Sequence, residues 1–164
     1  MSLFSFIKAA GSAIFGGENE AEEAEAKRAA AEATELAEEA ATARRLEETI
    51  RDLDLHVTDL NVHVDDDRVS VSGIAYDQST KEKVVLVLGN SAGIASVDDN
   101  MTVEHTEPEA QFHTVVSGDS LSKIAKHYYG DAMKYTEIFE ANQPMLKDPN
   151  LIYPGQVLRI PNLD

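Results

Sequence analysis

Three consecutive carboxylates, Asp65-Asp66-Asp67, are the densest side-chain chemistry in the sequence. A calcium loop of the EF-hand kind spaces its acids D-x-D-x-D-G and adds a distant Glu, so an unbroken acidic triplet fits a charged hairpin turn better. His56, His63, His105, His113 and His127 show no i,i+4 pair and no H-x-x-E grouping, and there is no cysteine to complete a transition-metal set. Ser120 and Ser122 stand near His127 but lack an evident acid partner or oxyanion donor, so their hydroxyls suit helix capping. Neither a P-loop nor a dinucleotide fingerprint occurs. These absences point to a binding protein and not an enzyme. What remains is the glycine-punctuated loop Gly89-Asn90-Ser91-Ala92-Gly93, which residue types alone would make a turn capping a helix. Asp98 and Asp99 follow it, adding negative potential or simply flanking a strand.

Two small modules are expected to position these groups. Leu3, Phe4, Ile7, Ala10 and Ile14 recur at helical spacing, so residues 1–17 read as a short amphipathic helix closed by Gly16 and Gly17. A single Lys on this segment argues for docking on protein, since interfacial membrane helices are rich in Lys and Arg. Residues 18–45 are Ala and Glu with a few cations, a solvated helix or charged spacer. Leu46, Ile50 and Leu53 then form an apolar stripe that packs on a core.

Beyond Leu53 the period changes to two. Leu60, Val62 and Val64 predict one strand, Val69 and Val71 a second closed by Gly73, with the triplet as the hairpin turn. Asp77 to Leu88 reads as a helix with Lys81, Glu82 and Lys83 exposed, and Ile94 to Val103 as a third strand. Residues 46–104 thus form an α+β module of order αββαβ, and the polar residues 105–111, with Pro108, link it to the next. In residues 112–161, Phe112–Val116 is a strand, Asp119 is placed to cap a helix Ser120–Tyr129 stopped by Gly130, and Met133–Asn142 is a second helix. Tyr153-Pro154-Gly155-Gln156 turns into a last strand, completing a βααβ unit.

Composition narrows the partners. Fourteen Lys and Arg against 30 Asp and Glu give a net charge of -16, a field that repels nucleic acid. No stretch approaches the roughly 20 apolar residues of a membrane span. The only cation near the start, Lys8, interrupts the apolar stretch instead of preceding it, so no secretory signal is expected. The expected protein is a cytoplasmic monomer without nucleic-acid or membrane partners.

The segments HTVVSGDSLSKIAKHYYG, IFEANQP and IYPGQVLRIP resemble the LysM family over the whole second module. That resemblance implies N-acetylglucosamine or peptidoglycan binding in a shallow groove between Ser117–Leu121 and Asn150–Tyr153. A docking or stabilising role, with a protein partner, is the alternative. The helix, the RVSVSG hairpin and GIASVDDNMTV resemble the BON family. One BON followed by one LysM, with the start MSLFSFIKAAG and the stretch LVLGNSAGIASVDD, resembles the bacterial cytoplasmic potassium-binding proteins that join these two domains.

The resemblance implies a potassium ion held by the backbone carbonyls of Ile7, Ala10, Gly89, Ser91 and Ile94, with LysM in a stabilising role. A large monovalent ion is suited by several neutral carbonyl oxygens, whereas carboxylate clusters favour smaller divalent ions. Helix C-termini add unpaired carbonyls and a negative dipole end. Side-chain identity then matters little at the ligands, while a β-carbon at Gly89 or Gly93 is expected to disturb the backbone. Ion binding is expected to order a loop that is loose without it.

Overall fold

The computed structural model describes residues 19–163. The N-terminal segment with Ile7 and Ala10 therefore lies outside the described residues. Helix α1 (Asn19–Asp52) is followed by β1 (Val57–Asp65), β2 (Arg68–Asp77), α2 (Gln78–Gly89) and β3 (Ser96–His105). Then come β4 (Gln111–Thr114), α3 (Leu121–Tyr129), a 3₁₀ turn (Ala132–Lys134), α4 (Tyr135–Ala141) and β5 (Val157–Ile160). The fold is α+β, an αββαβ module followed by a βααβ module. Among the described residues no helix is long and apolar enough to cross a membrane.

The chain divides into two compact units at the Ala40–Ala41 boundary, which falls inside α1. In the first unit the helix is solvated and even Leu36 is exposed. Ala and Glu sustain it by propensity, and the exposed Lys27–Glu23 pair at 3.3 Å adds only a few tenths of a kcal/mol, roughly. In the second unit the same helix turns a stripe inward, with Ala43, Leu46 and Ile50 buried. Burying an aliphatic side chain of this size contributes about 1.5–3 kcal/mol, so these residues anchor the helix.

Its stripe covers one face of a three-stranded sheet of order β1-β2-β3. The β1–β2 pair is antiparallel, joined at Asp65↔Arg68 by the acidic turn. Strand β3 pairs parallel to β2 from Arg68↔Ser96 to Asp77↔His105, which requires the crossover that α2 supplies. Val62, Val64, Val69, Val71 and Met101 meet Ile50, Val84 and Leu88 in the core. Asp77 caps α2 by accepting from Thr80 N at 2.7 Å.

Gly73 does not close the second strand as expected; it sits inside β2 at φ +140. Opposite it the β1 register slips between Thr58 and Asn61, where Asp59 has φ 53. A β-carbon at Gly73 would stand 2.7 Å from Val57 Cγ1 and 2.9 Å from the Thr58 carbonyl oxygen. Glycine is demanded there by a bulge pressing on the centre of the sheet.

In the second module β4 and β5 pair antiparallel from Gln111↔Ile160 to Thr114↔Val157. Val115, Leu121, Ile124, Ala125, Ile138, Leu146, Leu158 and Ile160 form its core. The cap of α3 is Ser120, accepting from Lys123 N at 3.3 Å, and not Asp119. The Asp119 carboxylate faces the other way. Its Oδ2 accepts from Val116 N at 3.0 Å and from His113 Nε2 at 2.9 Å, tying β4 to the following turn. The second helix is split, its first turn being 3₁₀ before α4 begins at Tyr135.

Two carboxyls carry an acid-sensitive share of stability. The Val116 amide and then His113 hold Asp119 below the ordinary value of 3.8. Burial raises the Asp77 carboxyl, but the Thr80 hydrogen bonds, Lys83 and Arg159 outweigh it and leave Asp77 lowered as well. A carboxyl with a depressed folded pKa contributes fully above its unfolded value and loses that contribution as pH falls through the folded one. Acid titration of the melting temperature should therefore stay flat to about pH 4 and fall below it. Asp119→Asn should shallow the fall; an unchanged acid limb would remove Asp119 from the account.

Candidate functional site

The glycine-punctuated loop leaves the C-terminal end of α2, where the last carbonyls lack helical partners. Gly89 is the final helical residue and Asn90 the C-cap, its N–H donating to the Leu86 carbonyl at 2.9 Å. Ser91 closes the end twice, through Ser91 N to Leu88 O at 3.1 Å and Ser91 Oγ to Val87 O at 2.6 Å. Ile94 N donates to the Ser91 carbonyl at 3.2 Å, which leaves that oxygen a second lone pair. Ile94 packs its side chain on the core, while Ala95 N and Ser96 N both donate to the Asp67 carbonyl. The acidic hairpin turn thus acts here through a backbone oxygen.

Of the five carbonyl positions expected to ligate, Gly89, Ser91 and Ile94 lie on this one loop, and Ile7 and Ala10 are outside the described residues. The expected demand for glycine at two positions divides. Gly93 has φ +86, a conformation that strains other residues, although nothing lies within 4 Å of an added β-carbon. Gly89 is corrected: it lacks a positive φ, and a β-carbon there would meet Val97 Cγ2 at 3.6 Å, an ordinary contact.

The loop is also fastened to the second module. Asn90 Nδ2 donates to Val157 O at 3.0 Å, and Val157 N donates to Asn90 Oδ1 at 2.9 Å. One helical face further along α2 lies a contact that sequence reasoning missed. Glu82, expected exposed between two lysines, is buried. Its Oε2 accepts from Arg159 Nε on β5, and its Oε1 accepts from Gln78 Nε2 and from Ala110 N of the linker, each at 2.9 Å. One carboxylate therefore joins α2, the linker and the last strand. Lys83 and Asp77 complete the charge cluster; burial, then Arg159, pushes the Lys83 ammonium below its usual value. Glu82 lies on a different face of α2 from the stripe of Val84, Val87 and Leu88, and the one signal for its burial is Leu86 four residues on, an apolar residue on the same face as Gln78 and Glu82.

An open groove of about 460 Å³ runs beside the loop between the modules, lined among others by Leu53, Val87, Ser91, Met145, Leu151 and Tyr153. Leu151 and Tyr153 belong to the expected glycan loop Asn150–Tyr153, so that loop forms a wall facing the first module. His56 goes to Asp54, His105 to the Tyr76 carbonyl and His113 to Asp119 and Tyr128; His127 packs on the same Tyr128 ring, and His63 is exposed on β1.

Residues 37–105 match the family model of the BON domain, and residues 113–161 match that of the LysM domain. Two family models thus match along the chain, BON first and LysM after it. The chain is 53% identical over 94 residues to the Potassium binding protein Kbp of Escherichia coli, a stretch covering 57% of this chain and 63% of that protein. An uncharacterized protein of Deinococcus radiodurans is 59% identical over 49 residues, 30% of this chain and 19% of the relative. Esterase Rv1288 of Mycobacterium tuberculosis is 39% identical over 75 residues, 45% of this chain and 16% of the esterase. The chain thus spans less than two thirds of the length of each of these relatives.

Proposed function

We propose that this chain is a cytoplasmic potassium-binding protein, a sensor or buffer and not an enzyme, with the ion held by backbone carbonyls of Ile7, Ala10, Gly89, Ser91 and Ile94. The observation that carries the reading is the 53% identity to a protein named for potassium binding. The loop geometry is in keeping with it: three of the five carbonyls lie within six residues at a helix C-terminus, where the dipole is negative. The esterase likeness, confined to 16% of that protein, does not argue for catalysis. In this reading residues 1–17 supply two ligands, 18–45 are a spacer, 46–104 the BON domain, 105–111 the linker and 112–161 the stabilising LysM domain.

Melting in sodium buffer tests it, with potassium, calcium and a chito-oligosaccharide added separately. Potassium alone should raise the melting temperature, since a ligand at 100 times its Kd stabilises by about 2.7 kcal/mol. Deleting residues 1–11 should abolish the rise. A rise with the oligosaccharide alone would reverse the assignment in favour of the LysM groove.

A further inference from the structure

Among the described residues the LysM sheet has two strands, and one edge of β5 has no strand beside it. In antiparallel pairing, alternate residues direct both N–H and C=O away from the partner strand. On β5 these are Val157 and Arg159, and both are satisfied in the same manner. Arg159 N donates to Asn142 Oδ1 at 2.7 Å, and Asn142 Nδ2 donates back to Arg159 O at 2.8 Å. Val157 exchanges the same pair of bonds with Asn90. Each side-chain amide turns one donor and one acceptor toward β5, so each stands in for the peptide group of a neighbouring strand, while the second Nδ2 hydrogen of Asn142 goes to the Ile138 carbonyl at 2.7 Å. Asn142 is the C-cap of LysM helix α4 and Asn90 the C-cap of BON helix α2. LysM caps half of its own edge, and BON caps the other half.

Asn90 lies between Gly89 and Ser91, two of the proposed ion ligands. A two-point grip on β5 admits one orientation of the Asn90 amide and so restrains the peptide planes on either side, which carry the Gly89 carbonyl and the Asn90 carbonyl. We propose that Asn90 is a positioning residue for the ion site: it touches no ion, but through its hold on Val157 it sets the direction of the Gly89 carbonyl, which lies in the peptide plane directly before it. This rests on the potassium reading. The LysM domain then acts on ion affinity through the Asn90 side chain, a coupling that runs equally in both directions.

The test uses the full chain. Potassium titrations followed by amide spectra are compared for wild type, Asn90→Ala and Asn90→Asp, with melting temperatures in sodium alone. Loss of two neutral hydrogen bonds should move the Asn90→Ala midpoint to about tenfold higher potassium. Asn90→Asp keeps the acceptor for Val157 N but sets a carboxylate oxygen against Val157 O, so its midpoint should also rise. It carries the test if the alanine variant fails to fold. A merely structural residue would lower the melting temperature in sodium and leave the midpoint at the wild-type value; that result overturns the proposal. A wild-type chain with no potassium response fails at the earlier step and strikes the functional reading itself.

Discussion

Arg159→Ala should cost about 3–5 kcal/mol in urea unfolding, because it strands the buried Glu82 carboxylate without its cation. The two side chains are 11% and 5% exposed, so neither charge can turn to water without opening the BON–LysM junction. Glu82→Ala should cost a similar amount and additionally orphan Gln78 Nε2 and Ala110 N. Replacing both partners by methionine restores an apolar fill and removes both charges, which often recovers most of the loss. The two orphaned donors should still hold that double variant about 1–2 kcal/mol below wild type. A cost under about 1 kcal/mol for Arg159→Ala is the behaviour of a surface pair, and would mean the junction opens freely in solution.

Gly73→Ala should be nearly as damaging, by about 3 kcal/mol, although it adds one methyl group. The new carbon would overlap Val57 Cγ1 and the Thr58 carbonyl, and relief requires moving the β1 backbone at the bulge. Gly89→Ala is the internal comparison. Its β-carbon finds room beside Val97, and alanine favours the last helical turn, so stability should hold or rise by about 0.5–1 kcal/mol. Equal losses at the two glycines would show that the bulge is not what demands Gly73.

The contrast explains what could be read beforehand. Alternating valines at 62, 64, 69 and 71 announce the hairpin because the pleat imposes a period of two, and the Leu46–Ile50 stripe announces the packed end of α1. In the sequence Gly73 looks like a strand terminator, because the bulge it serves lies on another strand. In the sequence Glu82 looks solvated, because Lys-Glu-Lys is the usual dress of an exposed helical face and its partner is 77 residues away. Asp119 and Ser120 are adjacent and both of capping type; their split of duties depends on His113 and Val116, which only the folded chain brings near. The candidate ion ligands came from family resemblance. Carbonyl ligands leave no mark on residue type, since every residue supplies one.

The paired asparagines on β5 bear on how such chains can be recombined. A domain with its own hydrophobic core can be moved as a cassette only if it is complete within its own ends. Here the cassette closes on a residue borrowed from upstream: Asn142 travels with it, but Asn90 does not. A graft of residues 113–161 onto another host would leave Val157 to water or to whatever strand comes by. The seam between these domains is therefore part of the unit that evolution or an engineer must move intact.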